Sequence, residues 1–296
     1  MIRHSAGKLV ALTAILGLAG PLAVWSAQQT GAALADDPQT ISSPRPLLDL
    51  CELIQSWYAK IVTYEDPIWV WRGELESRRG NENVKWGLFP KARTFSIPAS
   101  LSPATAPTLS LQLLDSFVDL YHRQTDGPRF TVLSSKLGLH IVPTQAYDAT
   151  GRLTPAVNPL DLVVSVPVAS RTPSGHLRAL CAQLSASSPV PIEFDASGMV
   201  PWLDQFFAPP QAEFDWGAAP AVAREALIDL LDRSATSLCW KLLCQASAEP
   251  GDRLCMLNIR PVQVSVTRPD GETRVVSLQY DRCTKCPAPL TPPRQP

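Results

Sequence analysis

The pair of stretches that decides the fold is "LLDLCELIQ", residues 47 to 55, and "LRALCAQL", residues 177 to 184. An offset of 130 residues aligns their leucines without a gap and places Cys51 on Cys181. In both stretches apolar residues recur at spacings of three and four, which is typical of one face of an α-helix. We therefore predict two copies of one module, each starting with an amphipathic helix.

The segments that follow these helices also correspond. "IVTYE", 61 to 65, and "PIEFD", 191 to 195, alternate apolar and polar residues, which predicts half-buried strands. "LLDSFVDLY", 113 to 121, resembles "ALIDLLDRS", 226 to 234, and each predicted helix precedes two short strands separated by a turn. Further strands are predicted at 95 to 98 and at 162 to 168. The predicted fold class is α+β, with two repeated helix-strand-strand-helix-strand-strand modules and small mixed or antiparallel sheets.

The N-terminal segment has the pattern of an export signal. Arg3 and Lys8 precede an apolar run, and a small-residue triplet ends at Ala35. We predict a signal peptide over residues 1 to 35. Cleavage nearer Ser26 or Ala27, or an uncleaved membrane anchor, is the alternative.

The rest of the chain divides by composition and repeat. We predict a linker at 36 to 45, a first module at 46 to 150, a second module at 160 to 280 and a proline-rich tail at 281 to 296. Hydrophobic residues make up 45% of the chain, which is enough for packed cores. The formal net charge of −1 gives no electrostatic reason to expect nucleic acid as a partner.

The second module resembles a known family. The residues that carry the resemblance are "VPVASRTPSGHLRALCAQLSASSPVPIEFDAS" from 166, "AVAREALIDLLDRSATSLCWKLL" from 221 and "LCMLNI" from 254. They resemble the short N-terminal domain of secretins and TonB-dependent receptors, in which a strand leads into a helix and a second helix leads into a final hairpin. The layout is also similar to that of secreted bacterial proteins without an assigned activity that carry strands such as "VTYEDP". The resemblance implies an α+β module that contacts other envelope proteins.

Residues with catalytic chemistry form no recognisable motif. His122 ends a predicted helix, where we expect an exposed polar tip, and His140 alternates with apolar residues on a strand, where we expect it to face solvent. Glu65 and Asp66 are neighbours on a strand, so their side chains point to opposite faces and are better explained as a strand end. We predict no catalytic residue, no cofactor and no metal site.

Cysteine is the residue class that could carry chemistry. Cys51 and Cys181 are expected to be reduced and buried, as small apolar residues. Clustered cysteines in an exported chain favour disulfides, and the candidates are Cys244, Cys255, Cys283 and Cys286. Cys244 and Cys255 flank a turn, so they could bridge a hairpin. The C-x-x-C at 283 to 286 is interpreted as a structural disulfide, with redox or metal chemistry as the alternative.

Two tryptophans suggest a contact surface. "DPIWVWRGE", 66 to 74, is predicted to be a strand with Trp69 and Trp71 on one side, as a candidate interaction surface or as a cap on the core. We therefore predict a non-enzymatic periplasmic or secreted protein, with no membrane span in the mature chain. Its modules would bind another envelope protein, for instance by strand addition at a sheet edge. A redox or metal-handling role for the C-terminal cysteines is the alternative.

Overall fold

The computed structural model describes six stretches of the chain, which belong to one compact unit. These stretches are residues 38 to 78, 87 to 194, 203 to 207, 212 to 247, 250 to 267 and 273 to 277. The predicted signal peptide and the predicted tail, with Cys283 and Cys286, lie outside them.

Four helices occur in this part of the chain, each where the apolar spacing predicts one. They are α1 Pro46–Tyr58, α2 Leu111–Gln124, α3 Pro173–Ser187 and α4 Ala223–Leu231. Proline opens α1 and α3, where its missing N–H has no helical partner to lose. The side chains of Ser110 and Thr172 accept backbone N–H groups in the first turns of α2 and α3, and so fix where these helices begin.

The strands are short and most lie where alternation predicts them. In chain order they are β1 Gln39–Ser43, β2 Val62–Glu65, β3 Leu75–Arg78, β4 Gly87–Pro90, β5 Arg93–Ile97, β6 Arg129–Ser134, β7 Leu139–Tyr147, β8 Leu153–Pro155, β9 Val163–Arg171, β10 Ile192–Phe194, β11 Phe214–Val222, β12 Leu238–Cys244, β13 Cys255–Pro261, β14 Gln263–Thr267 and β15 Thr273–Ser277. Helices and strands in one compact unit confirm the α+β fold class. The segment predicted as a linker contributes a strand, β1.

One mixed sheet runs through both predicted modules. Its order is β10-β13-β12-β2-β7-β6, with β8 added to the end of β7. Strand β2 is parallel to both of its neighbours, β7 and β12, whereas β6 with β7 and β12 with β13 form antiparallel hairpins. Four antiparallel pairs complete the fold: β1 with β5, β9 with β11, β3 with β4 and β14 with β15.

The same pairing pattern occurs twice, and we call residues 38 to 155 the first half and residues 159 to 261 the second half. In the first half β1 and β5 pair and lead into α1 and α2; in the second, β9 and β11 pair and lead into α3 and α4. The strand after the first helix then pairs in parallel with the last strand of the hairpin, β2 with β7 and β10 with β13. Common descent of the halves stays a prediction that this pattern supports.

A hydrogen bond recurs at the same offset of 130 residues. In the first half the Gln55 side chain, on α1, donates to the carbonyl of Val62 at 2.5 Å. In the second half the Ser185 hydroxyl, on α3, donates to the carbonyl of Ile192 at 2.8 Å. The residue types differ, but each helix is tied to the following strand at the same place.

Candidate functional site

The predicted strand through residues 66 to 74 does not form, so this prediction is wrong. Residues 66 to 71 have no regular secondary structure, and a single 3-10 turn, Arg72–Glu74, follows. Pro67 removes a ladder donor immediately after β2, which explains why the strand stops. Trp69 points into the apolar core and is 5% exposed, so it is not available to a partner.

Trp71 lies apart from this core position and is half-buried. Its ring contacts the ring of Tyr147, with centroids 4.9 Å apart. It also lies so close to Gly73 and Gly151 that a Cβ at either position would fall within 3 Å of the indole. Trp71 therefore holds the turn between β7 and β8 in place, and the candidate surface of two tryptophans on one strand face is corrected.

One predicted disulfide is present. Cys244 and Cys255 face each other across the hairpin of β12 and β13 and are bonded to each other. This agrees with the pairing expected from the turn between them. The C-x-x-C of the tail lies outside the described residues, and so does the redox or metal alternative that depends on it.

The free cysteines that the structure describes are buried. They are Cys51, Cys181 and Cys239. Burial raises the pKa of all three thiols, to about 12 for Cys181. Because the thiolate is the reactive form, these groups are poor nucleophiles near neutral pH.

His140 is buried, contrary to the prediction that it faces solvent. It is 1% exposed, and its ring nitrogens lie 2.9 Å from the Thr63 hydroxyl and 2.7 Å from the Ser135 hydroxyl. Trp240 from the second half stacks on the ring at a centroid distance of 4.7 Å, which is why the position is covered. Burial, with a smaller effect of the Arg224 charge, lowers the pKa of His140 to about 3, so it is neutral at pH 7.

His122 is also not the exposed tip that the sequence predicts. It is half-buried, and its Nε2 accepts the backbone N–H of Phe130 at 2.9 Å. His176 is buried, with Nε2 donating to the carbonyl of Phe214 at 2.8 Å. Burial is the largest influence on both rings and lowers the pKa of each.

A buried ion pair joins the two halves at Glu65, whose carboxylate is fully buried at the end of β2. It accepts Nε and Nη2 of Arg224 on α4 at 2.9 and 2.8 Å. It also accepts Asn158 at 2.6 Å and the indole N–H of Trp240 at 3.3 Å. Burial alone would lower the pKa of Arg224, but the hydrogen bond and charge of Glu65, with those of Asp161, raise it.

Asp66 forms a second buried connection and shares no hydrogen-bond partner with Glu65, as opposite faces require. It accepts Arg45 Nε at 2.7 Å and the Tyr64 hydroxyl at 2.8 Å. It also accepts the backbone N–H of Cys244 at 2.9 Å, and Arg45 Nη2 donates to the carbonyl of Cys244 at 2.9 Å. The first half therefore binds both backbone groups of the disulfide-bonded Cys244.

Lys241 makes a third connection, from β12 to Glu52 on α1. The lysine side chain is 7% exposed whereas the glutamate is 56% exposed, so the pair closes the rim of the junction. Sequence reasoning missed the three cationic partners, Arg45, Arg224 and Lys241. The available signals were Arg224 on the apolar face of α4, at 224, 227, 228 and 231, and Lys241 inside an apolar strand.

The exposed edges of the sheets differ in how their backbone groups are used. On β9, a Cβ at Gly217 would lie 2.6 Å from both the Val166 carbonyl and the Val168 amide, so these groups face β11. Pro167 between them therefore faces outward, where it has no N–H and its carbonyl accepts Arg171 at 3.2 Å. Pro167 therefore blocks strand addition at this position of the edge.

Side chains also cap two other edges. On β5, the Ser96 N–H donates to Gln124 Oε1 at 2.8 Å, and its carbonyl accepts Gln124 Nε2 at 3.0 Å. On β10, one end of the seven-stranded sheet, the Ser185 hydroxyl binds both the N–H and the carbonyl of Ile192 at 2.8 Å. In each case a side chain occupies the groups that an added strand would use at that residue.

The edge of β6, at the other end of the same sheet, is more open. His122 takes the outward N–H of Phe130, and outward groups alternate along a strand, so Val132 and Ser134 face outward as well. Within the described part of the chain no group binds their outward N–H and carbonyl. Leu133, between them, is 39% exposed. We call Val132 to Ser134 the β6 edge.

No metal centre or membrane-crossing helix is found in the described stretches. They contain no group of three or more His, Cys, Asp or Glu side chains arranged to hold a metal ion. Their helices are also too short or too polar to cross a bilayer. Comparison with protein-family models, curated proteins and solved structures finds no match for this chain.

Proposed function

We propose that this protein is exported, to the periplasm or the exterior, and binds another protein of the cell envelope by adding a strand to the β6 edge. In this role it is a binding protein and not an enzyme. The observation that carries the proposal is the pair of outward N–H and carbonyl groups at Val132 and Ser134, which have no partner in the described residues. At Ser96 on β5, Pro167 on β9 and Ile192 on β10, by contrast, a side chain binds or proline removes the outward groups.

Two features support export. The apolar segment after Arg3 and Lys8 fits a secretory signal. The disulfide between Cys244 and Cys255 is a bond that persists mainly in oxidising compartments such as the periplasm and the cell exterior.

Both halves are proposed to be modules similar to the short N-terminal domain of secretins and TonB-dependent receptors. What supports this is the order of elements in the second half, where β9 leads into α3 and β10, and α4 leads into the hairpin of β12 and β13. The first half has the same order and the same pairing. A module of this kind presents strand edges, which suits a binding role.

Strand addition explains how the β6 edge would bind. Backbone hydrogen bonds to Val132 and Ser134 would supply affinity, and side chains at alternate positions would supply specificity. Leu133 adds an exposed apolar contact beside those backbone groups. Caps at single residues of β5, β9 and β10 limit non-specific pairing at those positions.

The test is photo-crosslinking in living cells. A photoreactive amino acid replaces Leu133, and as a matched control it replaces Val168, which is 75% exposed but directly follows Pro167. We expect a defined protein adduct from position 133 and none from position 168. Adducts are identified by mass spectrometry.

A second variant separates binding from folding. Ser134→Pro removes an outward N–H that has no partner in the described residues, so the fold should be retained while the adduct from position 133 is lost. Equal adducts from positions 133 and 168, or an adduct unaffected by Ser134→Pro in a protein that still unfolds cooperatively, would contradict the proposal.

A further inference from the structure

The contact between the two halves is itself a strand addition. The edge of β12, the first strand of the second hairpin, pairs in parallel with β2 of the first half, with Lys241 opposite Tyr64. The carbonyl of Leu242 accepts the N–H of Asp66 at 2.8 Å. The structure therefore shows how the outer edge of the first strand of a hairpin, here β12, binds a further strand in parallel.

The β6 edge is the counterpart of the β12 edge. In the first hairpin Val132 faces Ile141, and in the second Trp240 faces Ile259. The isoleucines align in the sequence repeat, so Val132 corresponds to Trp240, Leu133 to Lys241 and Ser134 to Leu242. The groups of β12 that bind β2 thus have counterparts on β6 that no other described residue binds.

The counterpart of β2 is β10, at the opposite end of the sheet. The offset of 130 residues places Tyr64 on Phe194. Strand β10 has β13 on one side and no neighbouring strand on the other within the described residues. Within the described residues, β6, the counterpart of β12, therefore has no neighbouring strand at one end of the sheet, and β10, the counterpart of β2, has none at the other.

We propose that the β6 edge of one molecule pairs in parallel with β10 of a second copy, with Leu133 opposite Phe194. The proposal rests on the proposed function, because it names the partner of the same β6 edge. Such a contact uses two different surfaces, so repeated contacts close into a ring or continue as a filament.

The side chains that would meet between two molecules match each other, as those at the contact between the halves do. Inside the molecule Lys241 pairs with Glu52 on α1. The counterparts of these residues are Leu133 and Ala182, and both are exposed. An ion pair within the chain is thus matched by an apolar pair between chains. The mixed combinations, Leu133 against Glu52 or Lys241 against Ala182, would lose both kinds of contact.

The cap on β10 does not close the position that the contact needs. Ser185 binds Ile192, but Gln55 binds the equivalent Val62 and β2 still accepts β12 two residues further on, at Tyr64. Phe194 lies at that same distance beyond Ile192. The Ser185 cap therefore prevents pairing at Ile192 but leaves the outward backbone groups of Phe194 available.

The test is a charge-swap series on the full protein, purified as the cell processes it and kept oxidised. Sedimentation velocity measures association up to about 1 mM, where contacts worth about 4 kcal/mol are half-populated. We expect wild type to associate with rising concentration. Leu133→Lys alone and Ala182→Glu alone should each weaken association about tenfold or more.

The double variant Leu133→Lys with Ala182→Glu should restore association, because it recreates the ion pair of Lys241 and Glu52 between molecules. Val168→Lys is the matched control, an added lysine at an exposed position next to Pro167, and should change nothing. Unfolding curves check that each variant remains folded, which the exposure of the substituted positions favours.

Three outcomes overturn the inference: a wild-type monomer at all concentrations, a double variant no better than the single ones, or equal weakening by Val168→Lys. A monomer that still gives an adduct with a different protein from position 133 in cells refutes self-association but leaves the proposed function standing. Absence of both association and adduct refutes both.

Discussion

Removal of the Glu65 carboxylate should destabilise the protein more than any surface change. Glu65→Ala leaves the guanidinium of Arg224 buried without its main partner and takes the acceptor from Asn158 and Trp240. Breaking a buried ion pair on one side costs about 3 to 5 kcal/mol. Since domains are stable by about 5 to 15 kcal/mol, this is a large fraction of the free energy of unfolding.

The assay is urea unfolding at pH 7 without reductant, followed by tryptophan fluorescence and circular dichroism. The same loss should lower the melting temperature by about 6 to 20 °C. Asp232→Ala, which removes the partially exposed partner of Lys136, is the control and should cost about 1 kcal/mol or less. Glu65→Leu combined with Arg224→Met should recover part of the loss, because no charge is then left buried. A cost for Glu65→Ala no larger than that of Asp232→Ala would refute the view that this pair joins the halves.

Three further predictions follow from the structure. Gly151→Ala should lower the free energy of unfolding by about 1 to 3 kcal/mol, because φ is +84° and the new Cβ would meet Trp71 at 2.7 Å. Gly251→Ala is the control and should be neutral in the same urea assay, because the new Cβ would have no atom within 4 Å. The pKa of His140 is about 3 in the folded protein and 6.5 in the unfolded chain, so the unfolded chain takes up the proton first as pH falls. The free energy of unfolding should therefore decrease below about pH 6.5, by up to about 1.4 kcal/mol per pH unit. Unfolding curves of His140→Asn from pH 7 to 4 should lack this decrease. Thiol titration should find the buried thiols of Cys51, Cys181 and Cys239 unreactive in the native protein. After denaturation it should find three or five thiols, depending on whether Cys283 and Cys286 are bonded, and seven would contradict the disulfide between Cys244 and Cys255.

Local patterns predicted the four helices and the strands β2, β5, β6, β7, β9, β10, β12 and β13, because each of these elements carries its own signal. They did not predict β1, β3, β4, β8, β11 or β14. The leucines of α1 and α3 have helical spacing, and the strands from β6 to β7 alternate around a turn. These signals depend on neighbours within a few residues, so one sequence is enough to find them. The same reasoning failed at residues 66 to 74, where alternating tryptophans suggested a strand. There the two indoles pack on different parts of the fold, and no ladder forms.

The environments of the polar residues could not be predicted in the same way. His140 lies on an alternating strand, yet Trp240, 100 residues later in the chain, covers it. Glu65 and Asp66 were interpreted as a strand end, which is correct for β2 but omits Arg224 and Arg45. Such partners are distant in sequence, and the contact of β12 with β2 that brings them together has no local signal. The openness of the β6 edge likewise depends on where other side chains cap backbone groups.

The distribution of buried charge explains why the chain has ionisable residues but no catalytic motif. The buried charged side chains in the described residues are Glu65, Asp66, Glu74, Arg93, Arg224 and Lys241, and each has an ionic partner. Groups with shifted pKa values often mark active sites, but structural ion-pair networks shift them as well. Two of the four pairs, Glu65 with Arg224 and Lys241 with Glu52, join the halves. At the β6 edge, by contrast, backbone N–H and carbonyl groups have no partner within the described residues, and these are the groups that the proposed strand addition would use.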